Sequence, residues 1–259
     1  MEISGIENIL VTQLEAITLK EMDNVKLMDR TDTKFTFHIS ALPKILEDIK
    51  SNYKVLSIGN KRISKYETLY YDTPNFDLYL KHHSGKLNRY KIRHRTYVES
   101  SLGYLEVKFK NNKGRTIKER IKKKDVPQTW DENSTVFLNS KLPFASTTLF
   151  PVVWINYMRI TLVSIVNAER VTLDLDMEFL SNDKKTSLSQ LVIAEVKQHS
   201  KKDSAFLGIM KQHHLREGSM SKYCMAIAFM NDDIKKNSFK LKLNKINKIL
   251  NYDATASIC

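Results

Sequence analysis

Cysteine is scarce in this sequence: Cys224 and Cys259 are the only two in 259 residues. Two isolated thiols exclude a disulfide framework and any C-x-x-C metal site, and they fit a reducing, cytoplasmic compartment. Glycine and proline are also sparse, at 7 and 5 residues. No flexible linker divides the chain and no solenoid-length repeat stands out, so one folded domain is expected. Long apolar runs are missing: the longest, near 149–155, is far short of a membrane span. The N-terminal stretch carries Glu2, Glu7 and Glu15 in place of a basic start followed by apolar residues, so it is not read as a secretory signal. Attachment to a membrane would need a partner.

What the chain has in excess is positive charge. Lys and Arg number 42 against 29 Asp and Glu, a formal charge of +13, which favours nucleic acid, acidic membranes or phosphorylated ligands as partners. Charge alone does not choose among them. Hydrophobic residues, at 42%, suffice for a core. Ile6, Ile9, Leu10, Leu14 and Ile17 recur at helical spacing and predict an amphipathic, core-covering helix over 5–20. Ser40 is placed to cap a second helix over 40–51, with Leu42, Ile45, Leu46 and Ile49 facing inward. Period-two alternation predicts strands at 30–38, 64–72, 87–97, 103–110, 115–123, 157–166, 170–179 and 191–198. Turn residues such as Thr73-Pro74-Asn75, Ser84-Gly85 and Asn111-Asn112-Lys113-Gly114 separate them, which implies an antiparallel sheet or barrel. After residue 231 the chain is lysine-rich and reads as a solvated helix or loose tail.

The phase of the charges is more informative than their number. Arg89, Lys91, Arg93 and Arg95 sit two apart, so one strand face carries all four. Glu106, Lys108 and Lys110 share a face while Leu105, Val107 and Phe109 take the other; Lys118, Arg120 and Lys122 continue the scheme. Glu195 and Lys197 repeat the E-x-K pairing, and Arg30, Asp32 and Lys34 alternate likewise. In any single strand such charges fit an ordinary wet face. Across the set, a closed barrel explains them better: apolar faces turn outward under helices, and charges turn inward around an anion. Interleaved carboxylates lower the repulsion among the cations and offer hard oxygens to Mg²⁺ or Mn²⁺.

These segments, DRTDTKF, TLYYDTPNFDLYLKHHSGKLNRYKIRHRTY, YLEVKFK, GRTIKERI, PVVWINYMRITL, RVTLDLD, AEVKQ and SMSKYCMAI, run in this order over residues 28–230. Together they resemble the triphosphate tunnel metalloenzymes, and within them the polyphosphate polymerase domain of the vacuolar transporter chaperone complex and its bacterial relatives. The resemblance implies an α+β fold, an antiparallel eight-stranded β-barrel tunnel with flanking helices. It divides the chain into an N-terminal helical segment (1–27), the tunnel domain (28–231) and a basic C-terminal tail (232–259). Carried over residue by residue, the family's phosphate-binding cations fall on Lys34, Arg93, Arg95, Lys108, Lys118, Arg159, Arg170, Lys197 and Lys222. The metal-binding glutamate falls on Glu195, and Glu106 resembles a second tunnel carboxylate, for Mn²⁺ or Mg²⁺. Arg93, Arg95, Lys118 and Glu195 are the expected catalytic set. Arg30-x-Asp32-x-Lys34 stands where the triphosphatases have E-x-E-x-K, which resembles the polymerase branch. The phosphate-sensing helical domain and transmembrane region of the eukaryotic complex are not recognisable here.

The activity so implied is transfer of the γ-phosphoryl of ATP to a growing polyphosphate chain. ATP and polyphosphate are the expected partners, with no nucleic acid and with a separate membrane protein as a candidate associate at the inner face of a membrane. The acceptor would be another phosphate, in keeping with the lack of a nucleophile constellation: His82-His83 and His213-His214 read as surface histidines, and Tyr66, Tyr70 and Tyr71 as barrel packing. A tripolyphosphatase or nucleoside triphosphatase of the same fold competes with this reading. So does a non-catalytic module that binds polyphosphate or RNA.

Overall fold

The computed structural model describes residues 3–23, 31–181, 184–198, 204–218 and 221–252. In chain order the elements are α1 (Ile3–Gln13), β1 (Ala16–Ile17), α2 (Leu19–Asp23), β2 (Thr31–His38), α3 (Leu42–Ile49), β3 (Tyr53–Leu56), β4 (Ser64–Asp72), α4 (Asp77–His83), β5 (Arg89–Tyr97), β6 (Leu102–Lys110), β7 (Thr116–Lys122), α5 (Glu132–Lys141), β8 (Phe150–Ser164), β9 (Glu169–Ser181), β10 (Lys184–Leu188), β11 (Leu191–Gln198), α6 (Ala205–Gln212), α7 (Lys222–Met230) and α8 (Lys240–Leu250). Eight strands follow one path, β2-β11-β9-β8-β4-β5-β6-β7, with every neighbouring pair antiparallel. Among the described residues no strand pairing joins β7 to β2, so the tunnel sheet keeps a seam. The sheet nevertheless curls: Lys108 on β6 feels the charges of Glu195 on β11 and Lys34 on β2, near the opposite end of the strand path.

The two faces are packed differently. On the outside, alternate residues of β2, β8, β9 and β11 bury Phe35, Phe37, Ile160, Leu162, Leu173 and Val196 beneath α1, α3 and α6. Leu69, Tyr71, Ile92, Leu105 and Val107 do the same around Leu138 of α5. The inside is charged in one part and apolar in another, because α7 lies within the curl. Tyr223, Ala226, Ile227 and Met230 pack on Tyr70, Val153, Ile155, Phe179 and Ile193. Register places those partners on the face that also carries Arg93, Arg159 and Asp174.

A bulge makes this division possible. The register of β8 on β9 shifts between Asn156 and Met158, where Asp176 takes φ of 45°. One extra residue reverses the facing of everything beyond it. Arg170, Thr172 and Asp174 therefore face inward before the bulge, and Phe179 faces α7 after it.

Three expectations change in the structure. The helix predicted over 5–20 ends at Gln13: Arg62 donates to the carbonyls of Leu10 and Leu14, and Ala16–Ile17 pair in parallel with Val55–Leu56. Thr18 and Glu21 then form a reciprocal capping box that starts α2. Ser40 does not cap α3; its N–H donates to His38 Nδ1, and a 3₁₀ turn over Ile39–Ala41 leads into the helix. Strand β8 begins at Phe150, seven residues before the predicted start. Its first half lacks alternation because Val153 and Ile155 face the apolar plug, so polar residues are not required on either side.

The lysine-rich end is ordered as α8, which buries Phe239 before it and Ile246 within it. Among the described residues no helix is long and apolar enough to cross a membrane.

Candidate functional site: a cation-lined lumen

Among the described residues three carboxylates of the lumen, Glu106, Asp174 and Glu195, are each held by two cations, and Asp32, opposite Lys197 in register, lies on the same face. Register places Arg93 of β5 directly opposite Glu106 of β6. Arg93 Nε donates to Glu106 Oε2 at 2.6 Å, Lys118 of β7 pairs with Oε1, and Arg93 also donates to the Tyr70 hydroxyl at 3.2 Å. Glu106 is 1% exposed. Burial alone would raise its carboxyl, but Arg93 and Lys118 outweigh that and hold it at about 2.

Asp174 of β9, fully buried, accepts two hydrogen bonds from Arg159 of β8, at 2.6 and 2.8 Å, and pairs with Lys222 at the start of α7. Burial opposes the ionised form, and the two cations nevertheless keep Asp174 well below the usual carboxylate range. The third carboxylate, Glu195 of β11, receives Lys34 at 2.7 Å and Lys197 at 3.0 Å, both on Oε1. It too is held well below its ordinary value, against its burial, by Lys197 and Lys34.

Further cations have no carboxylate of their own among the described residues. Arg95, 7% exposed, donates to Thr68 Oγ1 at 3.2 Å and lies 5.4 Å from the Tyr66 ring centre. Lys91 donates to Ser221 Oγ at 2.8 Å. Lys108, exposed in part, makes no ion pair among the described residues, and partial loss of water together with Lys91 and Arg93 lowers its pKa. Loss of water likewise brings Lys197 down to about 8, and Lys118 to the same value although its side chain keeps 39% of its surface; Glu195 and Glu106 respectively pull them upward. Tyr66 and Tyr157 stack 5.4 Å apart beneath Arg159, which is 4.8 Å from the Tyr66 ring.

The structure thus gathers Lys34, Arg93, Arg95, Glu106, Lys108, Lys118, Arg159, Glu195, Lys197 and Lys222 on one inner surface. Arg170 stands beside Lys197 at the edge, where its guanidinium donates to the Met22 carbonyl at 3.4 Å. Arg30 of the opening motif and Ser219-Met220 of the last motif lie outside the described residues. Asp174 was not assigned from the sequence, although Arg170, Thr172 and Asp174 share one phase in RVTLDLD and could have been read as Arg93 and Arg95 were. Tyr66 and Tyr70 do pack the barrel, but on its inner face against Arg95 and Arg93, whereas Tyr71 packs outside on Trp130.

The histidine pairs are not uniformly superficial. His83 ends α4, is buried, and its Nε2 accepts from the Ser238 N–H. His82 is pushed down to about 2 by burial and by Lys91 and Arg89. His213 bonds Asp48 at 2.7 Å, and His214 is exposed. None of the four bonds a lumen carboxylate.

Among the described residues no group of three or more His, Cys, Asp or Glu gathers to hold a metal ion. Glu106 has both oxygens engaged, whereas Lys34 and Lys197 both make their ion pairs with Oε1 of Glu195. A single carboxylate is a sufficient protein anchor for a hard divalent ion that takes its other oxygens from phosphate and water, so Glu195 fits such an ion in the presence of substrate.

The fold is similar to that of several solved structures. A Hippeastrum protein described as a candidate adenylyl cyclase with a dominant triphosphatase activity aligns over 77% of this chain and 96% of its own, at 14% identity and a TM-score of 0.48. Candidate adenylate cyclases from Bacillus halodurans (11% identity, 78% and 100% covered, TM-score 0.46) and Vibrio parahaemolyticus (13%, 74% and 95%, 0.44) are similar to a like degree. Comparison with curated protein sequences gives no match. The VTC domain family model matches residues 29–231, the whole span of the tunnel strands, and the chain belongs to that family.

Proposed function

We propose that this chain is a metal-dependent polyphosphate polymerase that moves the γ-phosphoryl of ATP onto the end of a polyphosphate chain held in the lumen. The observation that carries the reading is the excess of cations over carboxylates on one enclosed face, in a chain that belongs to the VTC domain family. A triphosphate carries roughly four negative charges, and burying it uncompensated would be prohibitive. Lys34, Arg95, Lys108, Arg170 and Lys222 supply compensation along the chain. Arg93, Arg159 and Lys118 are pre-oriented by Glu106 and Asp174, so they need not reorganise as charge shifts during transfer.

In the reaction a terminal oxygen of the chain attacks the γ-phosphorus, a new P–O–P link forms, and the bond to the β-phosphate breaks to release ADP. Arg93, Arg95 and Lys118 align the three groups in line. Glu195 would hold Mn²⁺ or Mg²⁺, whose chemistry is to neutralise phosphate oxygens. Water is a poor rival as acceptor here. Glu106, Asp174 and Glu195 are each held ionised between two cations, so none of the three is suited to take a proton from water.

The test is incubation of the protein with ATP and Mn²⁺, with products separated by chain length. A ladder of long chains with ADP supports the polymerase; free phosphate in place of the ladder would establish a triphosphatase, and the lack of turnover a binding module. Glu195→Gln is expected to abolish metal-dependent turnover with an unchanged circular dichroism spectrum. Loss of folding in that variant would mark Glu195 as a structural ion-pair partner of Lys34 and Lys197 instead.

A further inference from the structure

A polymer made inside this lumen needs a way out, and α7 fills the inner face toward one end. Tyr223 is 1% exposed and bonds the buried Asp72, while Ala226 and Ile227 are fully buried against the strands. The seam beside β7 is different. Strand β7 pairs only with β6 among the described residues, and every residue from Asn112 to Arg120 is exposed. Lys118 joins the two regions: it is 39% exposed and still pairs with the buried Glu106.

From Lys118 the same strand face continues to Arg120 and Lys122, at about 7 Å per step, and the turn before β7 adds Lys113 and Arg115. None of these four outer cations has a carboxylate partner among the described residues; Arg120 lies 4.2 Å above the Tyr104 ring instead. The acid on this strand, Glu119, is engaged by Lys141. Lysines do blunt edge strands against aggregation. That role places no demand on which face they take, whereas Arg120 and Lys122 share the face of the lumen lysine.

Building on the polyphosphate reading, we propose that the β7 edge and its preceding turn form a basic track that binds the part of a polyphosphate chain extending beyond the lumen and leads it out sideways through the seam. A chain long enough to reach from lumen to track engages both and gains affinity by tethering, whereas tripolyphosphate occupies the lumen alone.

The experiment titrates linear tripolyphosphate and long-chain polyphosphate separately into the full chain, into Lys113→Ala/Arg115→Ala/Arg120→Ala/Lys122→Ala, and into the control Lys240→Ala/Lys242→Ala/Lys248→Ala, which removes three exposed cations of α8. The wild type is expected to favour the long chain, and the track variant to lose about tenfold of that preference while binding tripolyphosphate unchanged. The α8 control is expected to match the wild type. Retention of the full long-chain preference by the track variant, or its loss in the α8 control, overturns the track and leaves the lumen reading standing. Failure of the wild type to bind tripolyphosphate overturns both. Equal thermal unfolding of the three proteins guards against misfolding as the cause, and single Arg115→Ala and Lys122→Ala variants, each with a smaller loss of the same kind, replace the quadruple variant if it is unstable.

Discussion

Asp174 has no exposed surface and meets a bidentate guanidinium and an ammonium at once. Removing its charge would leave Arg159 and Lys222 buried and repelling each other, so Asp174→Asn is expected to cost about 3 kcal/mol. Tripolyphosphate should return part of that loss, because it brings the negative charge back; thermal unfolding with and without the ligand measures both. A second residue-scale prediction follows from Lys118 and Lys197, which loss of water lowers to about 8. Both are charged at neutral pH and discharge as pH rises through 8. Tyr70, brought down to about 8 by Arg93, Arg95 and Lys91 against its burial, gains negative charge over the same range. The ligand-free fold binds fewer of these protons than the unfolded chain between about pH 8 and the ordinary lysine value, so the lysines favour folding more as pH rises there. An anion favours the charged lysines, so its affinity moves the opposite way: metal-free tripolyphosphate binding is expected to weaken by about tenfold between pH 7.5 and 9.5. Calorimetry in buffers of different ionisation enthalpy should show proton uptake on binding above pH 8, and a flat pH profile would show that these lysines do not meet the ligand.

Among the elements, α7 has the largest effect on the lumen. Its first residue supplies Lys222 to Asp174, its cap Ser221 accepts from Lys91, and its side chains occupy the inner apolar half. The helix is fixed by Asp72, whose carboxylate accepts the N–H groups of Thr73, Leu78 and Tyr79 as well as the Tyr223 hydroxyl. Tyr223→Phe is therefore expected to destabilise by about 2 kcal/mol and to weaken phosphate binding through Lys222, as read by denaturant unfolding and by titration. The tunnel strands were legible because their polar and apolar residues alternate: β4 and β11 match their predicted ranges, and β2, β5, β6 and β7 do so within two residues. Other features were hidden, among them the short β3 and β10. The two-residue β1 is too short to show a period, the first half of β8 is apolar on both faces, and the bulge at Asp176 inverts a phase that nothing in the local sequence marks.

For the whole molecule, the same curled sheet buries apolar side chains outside and stores cations inside, and the lysine-rich end is part of the packing. Phe239, 8% exposed, rests against Tyr79 and His83 of α4, so Phe239→Ala is expected to cost about 3 kcal/mol, whereas a loose tail would tolerate it. The composition left this open because 232–259 is too polar to announce a buried face, and only Phe239 and the spaced Leu and Ile residues hint at one. Net charge was equally uninformative about place, since exposed lysines on α8 and enclosed ones in the lumen add to the same total. The measurement that separates them is a tripolyphosphate titration of the wild type, Arg93→Ala and Lys240→Ala/Lys242→Ala/Lys248→Ala at moderate salt. Binding lost in Arg93→Ala and retained in the α8 variant is the predicted result. Binding retained in Arg93→Ala and lost in the α8 variant would contradict an enclosed phosphate site.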